Sequence, residues 1–350
     1  MQCTWWTLPG LAVCLAGPVR AQGVDPGLTR VAGIRVGHHT LDMRPTGCTV
    51  VLLDEPAVAG VDVRGAAPGT HEIALLRPGN TVERVDAIFL SGGSAFGLAT
   101  ATGVVRYLEE HHRGYVTGAG RVPIVPGAII FDLGVGDDPT VRPDASCGYA
   151  AAMAASPDPV ERGSVGVGAG ATVGKLLGMD RAMKGGVGSA SIALPNGLVV
   201  AALVVVNAVG DVIDPETGRV VAGARGADGI RLVDVRRILR AGTDRTAARA
   251  LQQTTLAVVA TNASLTRAQM TRVAQVAHDG YARAISPAHT PYDGDAIFGL
   301  ATGTFDGAAD LLTIGALAAD VVADAILDAV RSARGLPGLP AVAELAPAGH

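Results

Sequence analysis

Two threonines stand together in "LQQTTLAVVATN" (251–262), directly ahead of a short apolar run of β type. Two readings compete for them. Thr suits the start of a strand. A Thr hydroxyl at the mouth of a buried strand can also act as a nucleophile, given a base to activate it and donors for the developing oxyanion. Residues of the types such a nucleophile needs are scattered along the chain. Asn207 ends the apolar run in "VVVNAVGDV", where an amide is either a turn former or an oxyanion donor. Asp293 and Asp295 lie two apart in "HTPYDGDAIFGLATG" (289–303). Extended backbone there would turn both carboxylates to one side, and close carboxylates raise each other's proton affinity. A plain Asp-Gly turn is the alternative. Lys175 and Lys184 sit among glycines in "GAGATVGKLLG" (168–178) and "AMKGGVGSAS" (182–191). Each is a candidate for a site, and each alone also fits a surface lysine after a glycine turn. "LSGGSAFGLATATGVV" (90–105) is a glycine-rich strand-to-helix turn that could cradle an anion on helix amides or line a pocket. It carries neither a Walker lysine nor the full dinucleotide spacing. There is no G-x-S-x-G elbow. No His or third carboxylate joins the Asp pair at a familiar ligand spacing, so neither metal nor cofactor is expected.

Several apolar runs are expected to be the strands that hold these residues: 48–54, 86–91, 188–194, 198–206, 256–262 and 297–303. The 198–206 run is apolar on both faces and should be covered on both. Helices are expected over 94–112, 266–286 and 310–331. The second opens with Thr266 and Gln269 at capping-box spacing, and Pro287 ends it. These elements mix without a regular βαβ alternation, which favours a layered α+β sandwich over a doubly wound sheet. The arginine-rich stretch 222–253 reads as an exposed connection between two packed halves. Residues 336–350 read as a loose tail.

With 350 residues, half of them apolar but only 3% aromatic, and 47 glycines, the core must be built from Ala, Val, Leu and Ile with close backbone approaches. A net charge of −4 without basic clusters excludes nucleic acid as the expected partner. No run is long and uniform enough to suggest a membrane span. Four cysteines without CxxC spacing support neither zinc nor a disulfide framework, so reduced thiols in the cytoplasm are expected. Residues 1–26 read as an N-terminal extension. The apolar stretch 5–16 keeps export by a signal peptide as the alternative, although no Lys or Arg precedes it and Pro9-Gly10 interrupts it.

Taken together, "GLTRVAGIRVGHHT", "DAIFLSGGSAFGL", "RPDASCGYAAA", "GAGATVGK", "AMKGGVGSAS", "VVNAVGDV", "TTLAVVATNASLT" and "HTPYDGDAIFGLATG" resemble the DmpA-type aminopeptidases, the P1 peptidase family. That family includes β-peptidyl aminopeptidases and nylon-oligomer hydrolases. The resemblance covers roughly 27–330 and rests on eight motifs in order. It implies an αββα four-layer sandwich of the type shared with ornithine acetyltransferases, and a precursor that cuts itself before a Ser or Thr. Here the cut would fall between Gln253 and Thr254. It would give an α chain (27–253) and a β chain (254–335) of one catalytic domain, with Thr254 as the new N-terminal nucleophile and Thr255 as its rival. The resemblance further assigns Asn207 to the oxyanion, places Lys175 and Tyr149 near the reacting centre, and sets Asp293 and Asp295 beside the nucleophile. It puts Ser91, Gly92, Gly93 and Ser94 at the substrate. It implies removal of N-terminal residues from short peptides or amides, with nylon-type amide hydrolysis or acyl transfer as alternatives, and a homo-oligomer, a tetramer of processed units. This chain departs from the family in having Gln253 where Asn or Gly is usual, and Ala99 where an acid is common. Both carboxylates are Asp, as in the nylon-oligomer branch.

Overall fold

The computed structural model describes residues 25–242, 253–308 and 310–345. Strands from both sides of Thr254 interleave in one sheet. Its order is Gly186–Ala193, Val199–Val206, Leu256–Thr261, Ala296–Ala301, Gly47–Val63, Arg84–Ser91, Gly127–Ile129 and Thr70–His71, with Ile34–Thr40 also paired to Gly47–Val63. The long strand Gly47–Val63 serves two neighbourhoods. Its first half pairs with Ile34–Thr40 and Arg84–Ser91, and its last residues pair with Ala296–Ala301. The register shifts between Leu52 and Ala57, the signature of a bulge that lets a strand bend.

The period-2 alternation then sorts side chains into layers. Leu203, Leu256, Phe298, Val51, Ile88 and Leu90 meet in one central core. On the outer face of one half, Val200, Ala202, Val204 and Ile297 pack on the helices Arg267–Ala284 and Leu311–Arg331. On the outer face of the other, Val50, Leu52, Ala87 and Phe89 pack on Thr100–Glu110 and Ala145–Met153. The layers run helix, sheet, sheet, helix, the expected αββα sandwich. Phe298 is fully buried between the sheets, so truncation to Ala there costs about 3–5 kcal/mol.

The long helices begin where their caps are. Gln269 N–H donates to Thr266 Oγ1 and Thr266 N–H to Gln269 Oε1, a capping box. Asp310 accepts from Leu312 and Thr313 N–H. The expected helix 94–112 instead starts as a 3-10 turn, Ser94–Ala99, because Gly93 and Ser94 take left-handed φ of 82° and 55°. The helix Ala145–Met153 had no clear periodic signal; its legible mark is the Asp144 N-cap.

Three expectations are corrected. Cys48 and Cys147 form a disulfide across 99 residues, joining a strand to the outer helix layer; spacing along the sequence could not foretell that their Cα atoms lie 6.2 Å apart. The supposed loose tail is docked over 336–345: Ala341 is buried, and Pro340 and Gly338 carbonyls accept from Lys184 N–H and Arg225. Residues 346–350 lie outside the described residues, as do 1–24. The supposed exposed connection is packed in part: Ala222, Ala224 and Val235 are buried and Arg225 donates to four backbone carbonyls, those of Ala182, Gly229, Asp180 and Gly338, while Ile230 and 240–242 are exposed. Its remainder, 243–252, lies outside the described residues. No described helix is long and apolar enough to cross a membrane.

Candidate active site

Strand register assembles the site. Val205 pairs with Leu256 in the antiparallel neighbour, and continuing that register sets Asn207 opposite Thr254. Leu256 pairs with Ala296 in the parallel neighbour, and Gln253 bridges Asp293. Thr254 therefore begins the central strand between Asn207 on one side and Gly294 on the other. The hydrogen bonds agree: Thr254 N–H donates to the Asn207 carbonyl at 3.0 Å, and Gly294 N–H to the Gln253 carbonyl at 2.7 Å. Gly294 has to be glycine, since a Cβ there would stand 2.6 Å from Thr254 Oγ1.

Two donors meet the carbonyl that precedes Thr254. Thr254 Oγ1 donates to the Gln253 carbonyl oxygen at 2.6 Å, the same oxygen that Gly294 N–H polarises. Both residues are 2% exposed. Lys175 Nζ donates to Asn207 Oδ1 at 2.6 Å and to Gln253 Oε1. Burial pushes the Lys175 ammonium well below the ordinary lysine range, while Asp293 and Asp132 pull the other way. Asn207 Oδ1 accepts from Lys175 and from Thr172 N–H, and one N–H of Nδ2 donates to the Phe131 carbonyl. The backbone donor at the Gln253 carbonyl is Gly294 N–H, not the Asn207 amide.

The two aspartates have separate duties. Asp295 Oδ1 accepts from Thr255 N–H at 2.8 Å, while Oδ2 accepts from His289 through its backbone N–H and ring Nδ1. Asp295 therefore pins the strand start to the loop before the parallel strand. Asp293 Oδ2 accepts from Thr290 N–H, and its Oδ1 is buried without a partner. Burial, then the nearby Asp295, push Asp293 up to about 6. Thr255 is fixed by backbone bonds to Asp295 and to Ala296 N–H, whereas the Thr254 hydroxyl meets the carbonyl of the preceding residue.

The glycine-rich turn supports the site from behind. Gly93 N–H donates to Asp132 Oδ1, Gly92 leaves no room for a Cβ beside Asp132 and Thr46, and Ser94 N–H donates to the Ile130 carbonyl. Ser91 Oγ bonds Thr100 Oγ1. Asp132 is buried against Arg44 at 3.0 Å and accepts from Thr46 Oγ1 at 2.5 Å. Together these fix the segment whose Phe131 carbonyl holds Asn207. Tyr149 lies elsewhere: its hydroxyl donates to Glu110 at 2.6 Å, and Arg106 stacks on its ring. Its helix belongs to the outer layer, not to the strand ends that meet at Thr254. Lys184 is buried at neither reaction centre nor surface; its Nζ donates to the Gly168, Ala171 and Gly185 carbonyls. The sequence reading missed Gly294, His289, Thr172 and Asp132. For Gly294 and His289 the signal was present, since both fall within the "HTPYDGD" run. No group of three or more His, Cys, Asp or Glu that could hold a metal occurs among the described residues.

Comparison with known proteins agrees with this geometry. An uncharacterized aminopeptidase of Mycobacterium bovis is 45% identical over 345 residues, covering 91% of this chain and 98% of the relative. A 6-aminohexanoate-oligomer endohydrolase of Kocuria is 30% identical, with 92% and 91% covered. Among solved structures, the l-aminopeptidase d-ala-esterase/amidase of Ochrobactrum anthropi, a variant of the Ntn-hydrolase fold, superposes with a TM-score of 0.67 at 20% identity, covering 91% and 90% of the two chains. A β-aminopeptidase of Burkholderia superposes with 0.65 at 24%, covering 89% and 88%. The family model described as Peptidase family S58 matches residues 27–342. The chain belongs to peptidase family S58.

Proposed function

We propose that this protein is an aminopeptidase or amidase that makes its own nucleophile by cutting Gln253–Thr254. One observation carries the proposal: Thr254 Oγ1 and Gly294 N–H converge on the Gln253 carbonyl oxygen, at 2.6 and 2.7 Å. Attack of Oγ1 on the Gln253 carbonyl carbon forms an ester. The hydroxyl proton passes to Thr254 N as the C–N bond breaks. Water then hydrolyses the ester, leaving a Gln253 carboxylate and restoring the Thr254 hydroxyl. The free α-amine of Thr254 exists only after this step. It then serves as base for the hydroxyl against an incoming amide, directly or through a water, so the cut switches activity on. Gly294 N–H and Lys175 supply the electrostatic stabilisation.

A nylon-type amidase is the second reading, favoured by the Asp293/Asp295 pair and by the relatives named as 6-aminohexanoate-oligomer endohydrolases. A homo-oligomer of processed units, a tetramer, belongs to the proposal and is read by light scattering. The Cys48–Cys147 disulfide favours the exported alternative over the cytoplasm, since disulfides persist in oxidising compartments. The deciding experiment is intact mass spectrometry of wild type and Thr254→Ala. Wild type should give two chains, one beginning at Thr254, while the variant stays whole. A wild type that remains uncut would overturn the processing claim. Release of p-nitroaniline from aminoacyl anilides, set against acetyl transfer to glutamate, separates hydrolase from transferase.

A further inference from the structure

The buried Gln253 side chain is not required by the cut itself, since the acyl shift uses only the Gln253 carbonyl. Its place has a second meaning. The ester formed during self-cleavage joins the acyl group of Gln253 to Thr254 Oγ1 beside a free α-amine. The acyl-enzyme formed from an external substrate is the same chemical species, with the substrate's acyl residue in place of Gln253. The two must use one acyl pocket.

That pocket is already occupied in the uncut chain. Gln253 Oε1 accepts from Lys175 Nζ, and an ammonium or amine offers only donors to a carboxamide oxygen. The walls beside it come from Phe131, Val135, Thr172 and Met179, and the space left over is only about 30 Å³, room for about one water. Asp132 and Gly134 complete the lining; apolar walls with a few placed polar groups are what orient a ligand in a small site. The main-chain end is defined too, because Gln253 N–H donates to the Tyr292 carbonyl, where a substrate's free amino group would sit.

We propose that the processed enzyme selects substrates whose N-terminal residue carries a neutral carboxamide of glutamine length, with Gln253 acting in the precursor as a built-in copy of that residue. This rests on the aminopeptidase reading above. Chain length matters because the two methylenes of Gln span the apolar walls to reach Lys175. Neutrality matters because burial holds Lys175 well below the ordinary lysine range, so at the end of the pocket it offers a carboxamide a donor but gives a buried glutamate little counter-charge. Hydrolysis balances as for any amide: the substrate's C–N bond breaks, the leaving amine takes a proton, and water releases free glutamine from the ester.

The test uses processed wild-type enzyme, its new Thr N-terminus confirmed by mass, with the p-nitroanilides of Gln, Glu, Leu and Ala. The expected kcat/KM for Gln exceeds that for Leu and for Glu by about tenfold or more. Val135→Phe should bring the Gln-to-Ala ratio towards one, with Met179→Phe as the second variant should the first not fold. In the precursor, Gln253→Leu should slow self-cleavage by about tenfold. Equal or faster turnover of the Leu anilide, together with an undiminished cut in Gln253→Leu, overturns the pocket assignment while leaving the aminopeptidase intact. If processed enzyme turns over none of the anilides, the aminopeptidase reading fails instead. The precursor rates then decide the pocket by themselves.

Discussion

Lys175 and Lys184 begin as near twins. Each follows or precedes glycines, each sits on a short irregular segment, and each is almost wholly buried. Their ammonium groups end in different company. Lys184 Nζ is wrapped by three backbone carbonyls, those of Gly168, Ala171 and Gly185. Lys175 Nζ faces two side-chain carbonyls, those of Asn207 and Gln253, beside the proposed cleavage site. Burial lowers the proton affinity of both. A displaced pKa therefore does not distinguish function from structure in this fold. The partners do: backbone acceptors satisfy the fold, whereas side-chain acceptors converging on a strand end serve chemistry.

The sharpest way to break this contrast is Lys175→Met. Self-cleavage should fall by about 10²–10³-fold; Thr172 N–H still satisfies Asn207 Oδ1, and only Gln253 Oε1 loses its donor. A rate within a fewfold of wild type, followed by gel densitometry, would return Lys175 to a structural role. Gly294→Ala attacks the same centre from the other strand. Its Cβ would crowd Thr254 Oγ1, and misplacement on that scale should slow the cut by about 10²-fold. His289→Ala acts one step further out, through Asp295. We expect about a tenfold slower cut, partly restored by His289→Asn, whose side-chain amide can still donate to Asp295 Oδ2. Equal rates in both variants would show that His289 only fills space.

Lys184→Met should do the reverse of Lys175→Met. It takes a donor from three carbonyls, of which those of Gly168 and Ala171 keep a backbone N–H and that of Gly185 does not, and costs about 1–3 kcal/mol of stability, while the folded fraction cuts itself at the wild-type rate. Its pH signature is distinct. Lys184 is lowered to about 7 in the folded chain, against about 10.4 when unfolded. Between those values the unfolded chain binds the extra proton, so this group's contribution to stability increases as pH rises from 7 towards 10. Melting curves should therefore show wild type gaining on Lys184→Met across that window. A constant gap would mean that Lys184 stays charged in its carbonyl cage.

The same contrast shows how far local sequence reaches. The strand runs, the capping box at Thr266 and the helix ending before Pro287 were legible because each depends on neighbours within a few residues. The ordered motifs were enough for the family, and they brought Thr254, Asn207, Lys175, Asp293 and Asp295 forward together. Tyr149 came forward with them and does not join them, because a motif carries no information about which layer its helix occupies. Gly294 looked like half of a turn until the parallel register set it opposite Thr254. The Cys48–Cys147 bond was invisible for a related reason, since 99 residues of chain separate two positions that packing makes neighbours.

Residue chemistry alone could say that a threonine, an amide, two carboxylates and a lysine were available. The motifs already preferred Thr254 and Lys175; setting Gly294 N–H rather than the Asn207 amide against the Gln253 carbonyl, and giving Lys175 Asn207 and Gln253 as partners, was left to the tertiary structure. Each choice turns on hydrogen bonds between strands far apart in sequence. Those bonds have one register, because shifting it by a single residue would turn every core side chain to the wrong face of the sheet.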